Sequence, residues 1–281
     1  MFGGILGKAV TKGSAAVVTG AGSGIGRAFA LELAKRGGRV VCSDIRLGTA
    51  QETVDLILAA GGQALAVECD VSRLEAVENL AAKSEQWLGR PVDLVVNNAG
   101  VGIGGRPIGD IPIEDWHWTV GVNMWGVIHG CHVFAPKLRA LGRGGIINVC
   151  STASFAAAPM MGPYNVTKAA VLALSETLKA ELAGSGVHVT ALCPTFVKTN
   201  IVRDGRIPQS TSKMGQRLME WTGMSADTVA NTTLNALDRN QLYVLPQFDA
   251  RMVWRMKRLA PVSYNRGSGL IARFMAAEKA S

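Results

Sequence analysis

The sequence has no run of eighteen apolar residues free of charges and turn formers, so no membrane-spanning helix is expected. Its four histidines form no HExxH pattern, and its five cysteines contain no pair at metal-ligand spacing, so no metal site is expected. The cysteines, at 42, 69, 131, 150 and 193, are odd in number and widely spaced within apolar runs. That favours buried free thiols in a reducing compartment over a disulfide framework. The 33 glycines show no three-residue period, which excludes collagen and points to tight turns and close backbone approaches. There is no internal repeat, low-complexity tract or convincing inter-domain linker. The opening stretch MFGGILGKAVTKG is too short for a secretory signal. Together these absences predict a cytoplasmic protein.

What is present is apolar and unevenly charged. Hydrophobic residues make up 48% of the 281 and charged residues 18%, enough for one large folded domain. The net charge is +8, but Arg251–Ser281 holds seven Lys/Arg against one acidic residue, leaving +2 for the other 250 residues. The basicity belongs to the tail, so no nucleic-acid partner is expected.

Short apolar runs alternate with segments of helical spacing. Strands are predicted at 15–20, 39–44, 64–70, 92–100, 145–151, 187–194 and 243–246. Helices are predicted after the first glycine turn, at 49–62, 72–88, 115–141 and 164–184. The strands are apolar on both faces, as in a parallel sheet covered on two sides. This predicts an α/β, Rossmann-like doubly wound parallel sheet over residues 1–246, followed by a basic helical extension over 247–281. Residues 200–225 follow the sixth strand and read as a substrate lid.

Two local patterns carry chemistry. Thr19–Gly26 reads TGAGSGIG and links a strand to a helix. Its glycines let the backbone approach a pyrophosphate, and the helix N–H groups meet the charge. Asp44 lies eighteen residues beyond Gly26, at a strand end, where a carboxylate can bind a ribose 2′-hydroxyl and repel a 2′-phosphate. That favours NAD over NADP, with Arg46 nearby as a softening charge. The second pattern is Tyr164 and Lys168, four residues apart on one helical face. A phenol titrates near 10, too high for an efficient base at neutral pH, and a neighbouring ammonium lowers it. Ser151 ends the fifth strand, thirteen residues before Tyr164, where strand ends point into a ligand crevice.

The GxxxGxG spacing from Gly20, the NNAG at 97–100 and the Tyr164-x-x-x-Lys168 pair together resemble the classical short-chain dehydrogenase/reductase family, over residues 13 to about 246. The resemblance implies that Gly20, Ser23, Gly24, Ile25 and Gly26 hold the cofactor's pyrophosphate. It implies that Asp70 and Val71 meet the adenine, and that Asn97, Ala99 and Gly100 shape the cofactor floor. Pro194, Val197 and Thr199 would hold the nicotinamide amide, although Thr195 stands where the family usually has glycine. Tyr164 would be the general acid/base and Ser151 would position the substrate oxygen, with Ser154 a local competitor. Lys168 would tune Tyr164 and bind ribose, and Asn123 would hold a water in a proton relay.

The expected substrate is a lipophilic secondary alcohol or its ketone. Apolar candidates for its wall are Val101–Arg106, Ala153–Met161 with Phe155 and Met160, Phe196, and Leu218, Met219 and Trp221 of the lid. Arg203 or Arg206 could meet an acidic group instead. His129, His132, Trp116, Trp118 and Trp125 read as packing or interface residues. Within the tail, a helix over 248–260 would align Phe248, Met252, Met256 and Leu259, with Arg251, Arg255 and Arg258 on a neighbouring face. It packs either on its own domain or partner, or on a membrane surface. The resemblance implies a homodimer or homotetramer through 115–141 and 164–184. The alternatives are an NADP-linked ketone, steroid or acyl-thioester reductase, and a catalytically inactive nucleotide-binding regulatory protein.

Overall fold

Successive residues of the first strand bury on opposite faces. Ala15 and Val17 join one apolar cluster, while Ala16 and Val18 join a second. A strand with both faces covered needs an unbroken apolar run, which is what the sequence supplies. The computed structural model describes residues 9–198, 205–207 and 223–277.

Its elements run β1 (Ala15–Thr19), α1 (Gly24–Lys35), β2 (Arg39–Asp44), α2 (Leu47–Ala59), β3 (Gln63–Glu68), α3 (Leu74–Leu88) and β4 (Leu94–Asn97). After a 3-10 turn come α4 (Ile113–Val120), a π turn (Gly121–Trp125), α5 (Gly126–Leu141), β5 (Gly144–Val149) and α6 (Ala153–Ala156). They are followed by α7 (Gly162–Glu181), β6 (Val187–Leu192), α8 (Ala226–Asp238), β7 (Tyr243–Val244), α9 (Phe248–Leu259) and α10 (Pro261–Ala277).

All pairings are parallel, in the order β3-β2-β1-β4-β5-β6-β7. The strand order reverses between β1 and β4, which opens a crevice at their carboxyl ends. This is the expected single doubly wound domain.

The departures are informative. The predicted strands 64–70, 92–100, 145–151 and 187–194 overran the ladders, which stop at Glu68, Asn97, Val149 and Leu192. The trailing residues leave the sheet and turn over its edge, where ligand loops belong. The helix expected over 115–141 is interrupted by the π turn, which carries Asn123. Such turns expand a helix locally and often sit at functional places. Helix α8 was not anticipated; Ser225 caps it by accepting the Thr228 N–H at 3.2 Å. All five cysteines are buried and free.

Candidate active site

A cavity of ≈ 650 Å³ lies at the carboxyl ends of the strands. At one end is the turn between β1 and α1. Gly20 and Gly24 adopt φ of +63° and +54°, which favours glycine. A Cβ on Gly22 would fall 2.4 Å from Thr49 Oγ1 and 2.7 Å from Asp44 Oδ2. A Cβ on Gly26 would meet the Gly20 carbonyl oxygen at 2.1 Å, so Gly26 lets α1 pack on its own turn and does not itself line the cavity. The first turn of α1 has neither a side-chain cap nor an acidic residue. Its free N–H groups and Ser23, Gly24 and Ile25 at the cavity wall fit a pyrophosphate.

Asp44 closes this end. Its carboxylate accepts the Gly22 N–H at 3.0 Å and the Arg46 N–H at 3.1 Å, which fixes it between the glycine turn and the next loop. Asp70 and Val71 also line the cavity, and Asp70 accepts both the N–H and the hydroxyl of Ser72. His129 contacts the Val71 carbonyl through Nδ1 at 2.9 Å, in keeping with a packing role.

The floor corrects one expectation. Asn97 is buried in β4, where its amide donates to Asn148 Oδ1 at 2.9 Å, and it does not reach the cavity. Asn98 takes that place. It reaches the glycine turn, donating to the carbonyls of Thr19 at 2.8 Å and Gly20 at 3.1 Å. Strand alternation explains the exchange: neighbours in a strand face opposite ways. Ala99 and Gly100 line the cavity.

At the other end Ser151, Tyr164 and Lys168 converge. Ser151 Oγ accepts the Ala153 N–H at 3.1 Å. Ser154 is not a competitor, because its hydroxyl donates to the Lys168 carbonyl at 2.7 Å and ties α6 to α7. Lys168 is buried, and its Nζ donates to the Val149 carbonyl at 2.8 Å and lies 5.8 Å from the Tyr164 ring centre. Burial pushes the Tyr164 phenol above its ordinary value, with the Ser151 hydroxyl acting in the opposite direction. Burial likewise pulls Lys168 below its ordinary value. Desolvation is the leading influence on both groups, and the lowering of the phenol comes from Ser151 and not, as expected, from Lys168.

Asn123 is fully buried behind this centre. Its Oδ1 accepts the Val101 N–H at 2.7 Å and its Nδ2 donates to the Val101 carbonyl at 2.9 Å. The side chain clamps the loop after β4 from both sides. These contacts engage both ends of the side-chain amide.

Pro194 and Val197 line the cavity, and Thr199 lies outside the described residues. Thr195 also lines it and points its hydroxyl to Thr152 Oγ1 and Asp249 Oδ1, each at 3.1 Å. The substrate side is apolar: Val101, Ile103, Ala156, Met161, Phe196 and Ile207. Phe155 packs instead against the core, and Met160 is absent from the lining. Trp118, expected as packing, reaches the cavity and carries the Arg206 guanidinium 4.1 Å from its ring centre. Arg206 also pairs with Asp115 at 2.5 Å, so it is engaged by protein groups and not held ready for a substrate acid. Arg203, Leu218, Met219, Trp221 and most of the expected lid lie outside the described residues. Trp118, at the cavity, carried no sequence signal that separated it from a packing residue, whereas Arg46 was marked by its place beside Asp44.

The comparisons agree with this geometry. The family model described as short chain dehydrogenase matches residues 14–209. The "Probable oxidoreductase EphD" of Mycobacterium tuberculosis is 45% identical over 186 residues, covering 66% of this chain but only 31% of that protein's length. A "1-deoxy-11-beta-hydroxypentalenate dehydrogenase" of Streptomyces exfoliatus is 35% identical over 259 residues, covering 89% of this chain and 91% of the relative. A crystal structure of a short chain dehydrogenase/reductase from Burkholderia phymatum in complex with NAD superimposes with a TM-score of 0.83 at 35% identity, covering 89% of this chain and 94% of that one. With a matched glycine turn, a serine at the end of β5 and a tyrosine–lysine pair on α7 facing one cavity, the chain belongs to the short-chain dehydrogenase/reductase family.

Proposed function

We propose that this family oxidoreductase interconverts a lipophilic secondary alcohol and its ketone, with NAD(H) as the cofactor. The observation that carries the reading is one cavity with Asp44 at one end and Ser151, Tyr164 and Lys168 at the other. The nicotinamide of a bound dinucleotide supplies hydride acceptance from, or donation to, the substrate carbon. The chain's residues manage the oxygen and its proton.

Ser151 lies where it can donate to the substrate oxygen and hold it beside the phenol. Tyr164 takes the hydroxyl proton in oxidation and returns it in reduction. Burial keeps the phenol protonated at neutral pH, which suits the reductive direction. In oxidation the cation of Lys168 stabilises the phenolate as it forms. Asn123 fixes the Val101 backbone and so the loop that closes the floor. The apolar wall excludes water and selects bulky, uncharged substrates.

The preference for NAD rests on Asp44, whose fixed carboxylate faces the cavity and would repel a 2′-phosphate. A second reading, an NADP-linked reductase, draws on Arg46, which lines the same end of the cavity. Initial rates at 340 nm with NAD and NADP, over a panel from short alcohols to bulky aryl and alicyclic carbinols, test both. Turnover with NAD on one bulky class is the expected result. Cofactor binding with no turnover across the panel would favour a regulatory nucleotide-binding protein.

A further inference from the structure

The tail helix packs on the domain by a different side from its apolar row. Ala250 is fully buried, and the Trp254 ring lies 6.0 Å from Tyr243 with the Arg258 guanidinium stacked 4.0 Å over it. That contact turns Phe248, Met252, Met256 and Leu259 outward. Their spacing of four, four and three residues places them on one helical face. Phe248 is 71% exposed and Leu259 85%, and Met252 and Met256 are also exposed. Val262 and Leu270 of α10 are exposed as well.

Arg251 and Arg255 flank this row, while Arg258 lies over Trp254 on the docked side. Arg251, Arg255, Lys257, Arg258, Arg266 and Arg273 fall within α9 and α10, and no acidic residue occurs from 251 to 277. We propose that α9 and α10 form a docking surface for a bilayer bearing anionic headgroups. A second copy of the chain meeting this face would oppose two strongly basic surfaces. A nucleic acid would satisfy the charges but leave the apolar row in water. An anionic bilayer accepts both: the apolar row enters the headgroup–acyl boundary and the arginines meet the headgroups. Among the described residues no helix is long and apolar enough to cross a membrane, so the contact lies on the surface.

The surface is joined to the active site. Gln247, just before α9, accepts the Thr195 N–H at 3.2 Å and donates to the Phe196 carbonyl at 2.9 Å. Helix α9 also packs on α6, whose Ala153 and Ala156 line the cavity. Docking would thus bring the cavity close to a store of lipophilic substrate. That consequence rests on the proposed reaction, whereas the docking itself does not.

The test is co-sedimentation of the full chain with phosphatidylcholine vesicles, with and without phosphatidylglycerol. The expected result is binding to the anionic vesicles alone, falling as salt rises. Met252→Glu with Met256→Glu, and separately Arg255→Glu with Arg266→Glu, should each weaken it about tenfold or more. The melting temperature and the turnover of a water-soluble alcohol should stay unchanged. Three results would overturn the proposal: protein remaining in the supernatant, equal binding to neutral vesicles, or the methionine variant converting a dimer to a monomer by light scattering. The last would assign the face to a second copy.

Discussion

Lys168 Nζ donates to the carbonyl of Val149 at 2.8 Å while standing 5.8 Å from the centre of the Tyr164 ring. The lysine is thereby tethered to the end of β5, two residues before Ser151. One backbone bond sets the position of the ammonium relative to both the serine and the phenol. Lys168 is buried and Tyr164 half-buried, and desolvation makes each group resist its charged form, so a bound cofactor and substrate must favour the working protonation states.

Tyr164→Phe removes only the hydroxyl. Turnover should fall by about 10²–10⁴-fold, the range a positioned acid/base contributes, while NAD binding by fluorescence persists. Unchanged turnover would sink the assignment.

Lys168→Met should abolish most turnover yet raise thermal stability at neutral pH. The folded-state value of Lys168 lies below its ordinary 10.5, so its stabilising contribution is present only at alkaline pH and is lost as pH falls through the folded value. Below the ordinary lysine value the desolvated group is therefore a net cost that methionine removes. The gain in melting temperature should shrink as pH approaches the ordinary lysine value. Calorimetry from neutral to alkaline pH checks the sign.

Oxidative turnover should rise with pH, because burial holds the Tyr164 phenol above its ordinary value. The reductive rate should instead be flat at neutral pH and decline in alkali. An oxidative rate independent of pH across this range, with chemistry limiting, would remove Tyr164 from the base role.

Asp44→Ala should raise kcat/KM for NADP relative to NAD by about 10–100-fold, since an opposed like charge costs several kcal/mol. The lost contact to the Gly22 N–H should also weaken binding of both cofactors. An unchanged ratio from initial rates would place the cofactor preference elsewhere.

Gly130→Ala should destabilise the fold, by about 1–3 kcal/mol. Its Cβ would fall 2.0 Å from Asn97 Oδ1, and Asn97 is bonded to Asn148, which in turn donates to Ser175 Oγ at 3.0 Å. Urea denaturation followed by circular dichroism measures the loss.

The alternation of strand 15–20, helix and strand 39–44 was legible because a strand buried on both faces must be apolar throughout. The Tyr164–Lys168 pair was legible because four residues make one helical turn. The glycine turn was legible because only glycine admits the backbone geometry at Gly20 and Gly24. Asn98 was hidden behind Asn97, since the direction of a residue leaving β4 depends on where the ladder with β5 ends. Arg206 was hidden for a related reason: its partners Asp115 and Trp118 lie some ninety residues earlier in the chain.

The sequence by itself determined the doubly wound sheet, the glycine turn and the spacing of the reacting side chains, because each is carried by a pattern that repeats within a few residues. Tertiary structure decided which asparagine meets the cavity, that Asn123 clamps Val101, and that burial is the leading influence on the Tyr164 phenol. It also decided which side of α9 stays bare. Those outcomes depend on desolvation and packing by distant segments, which local spacing does not encode.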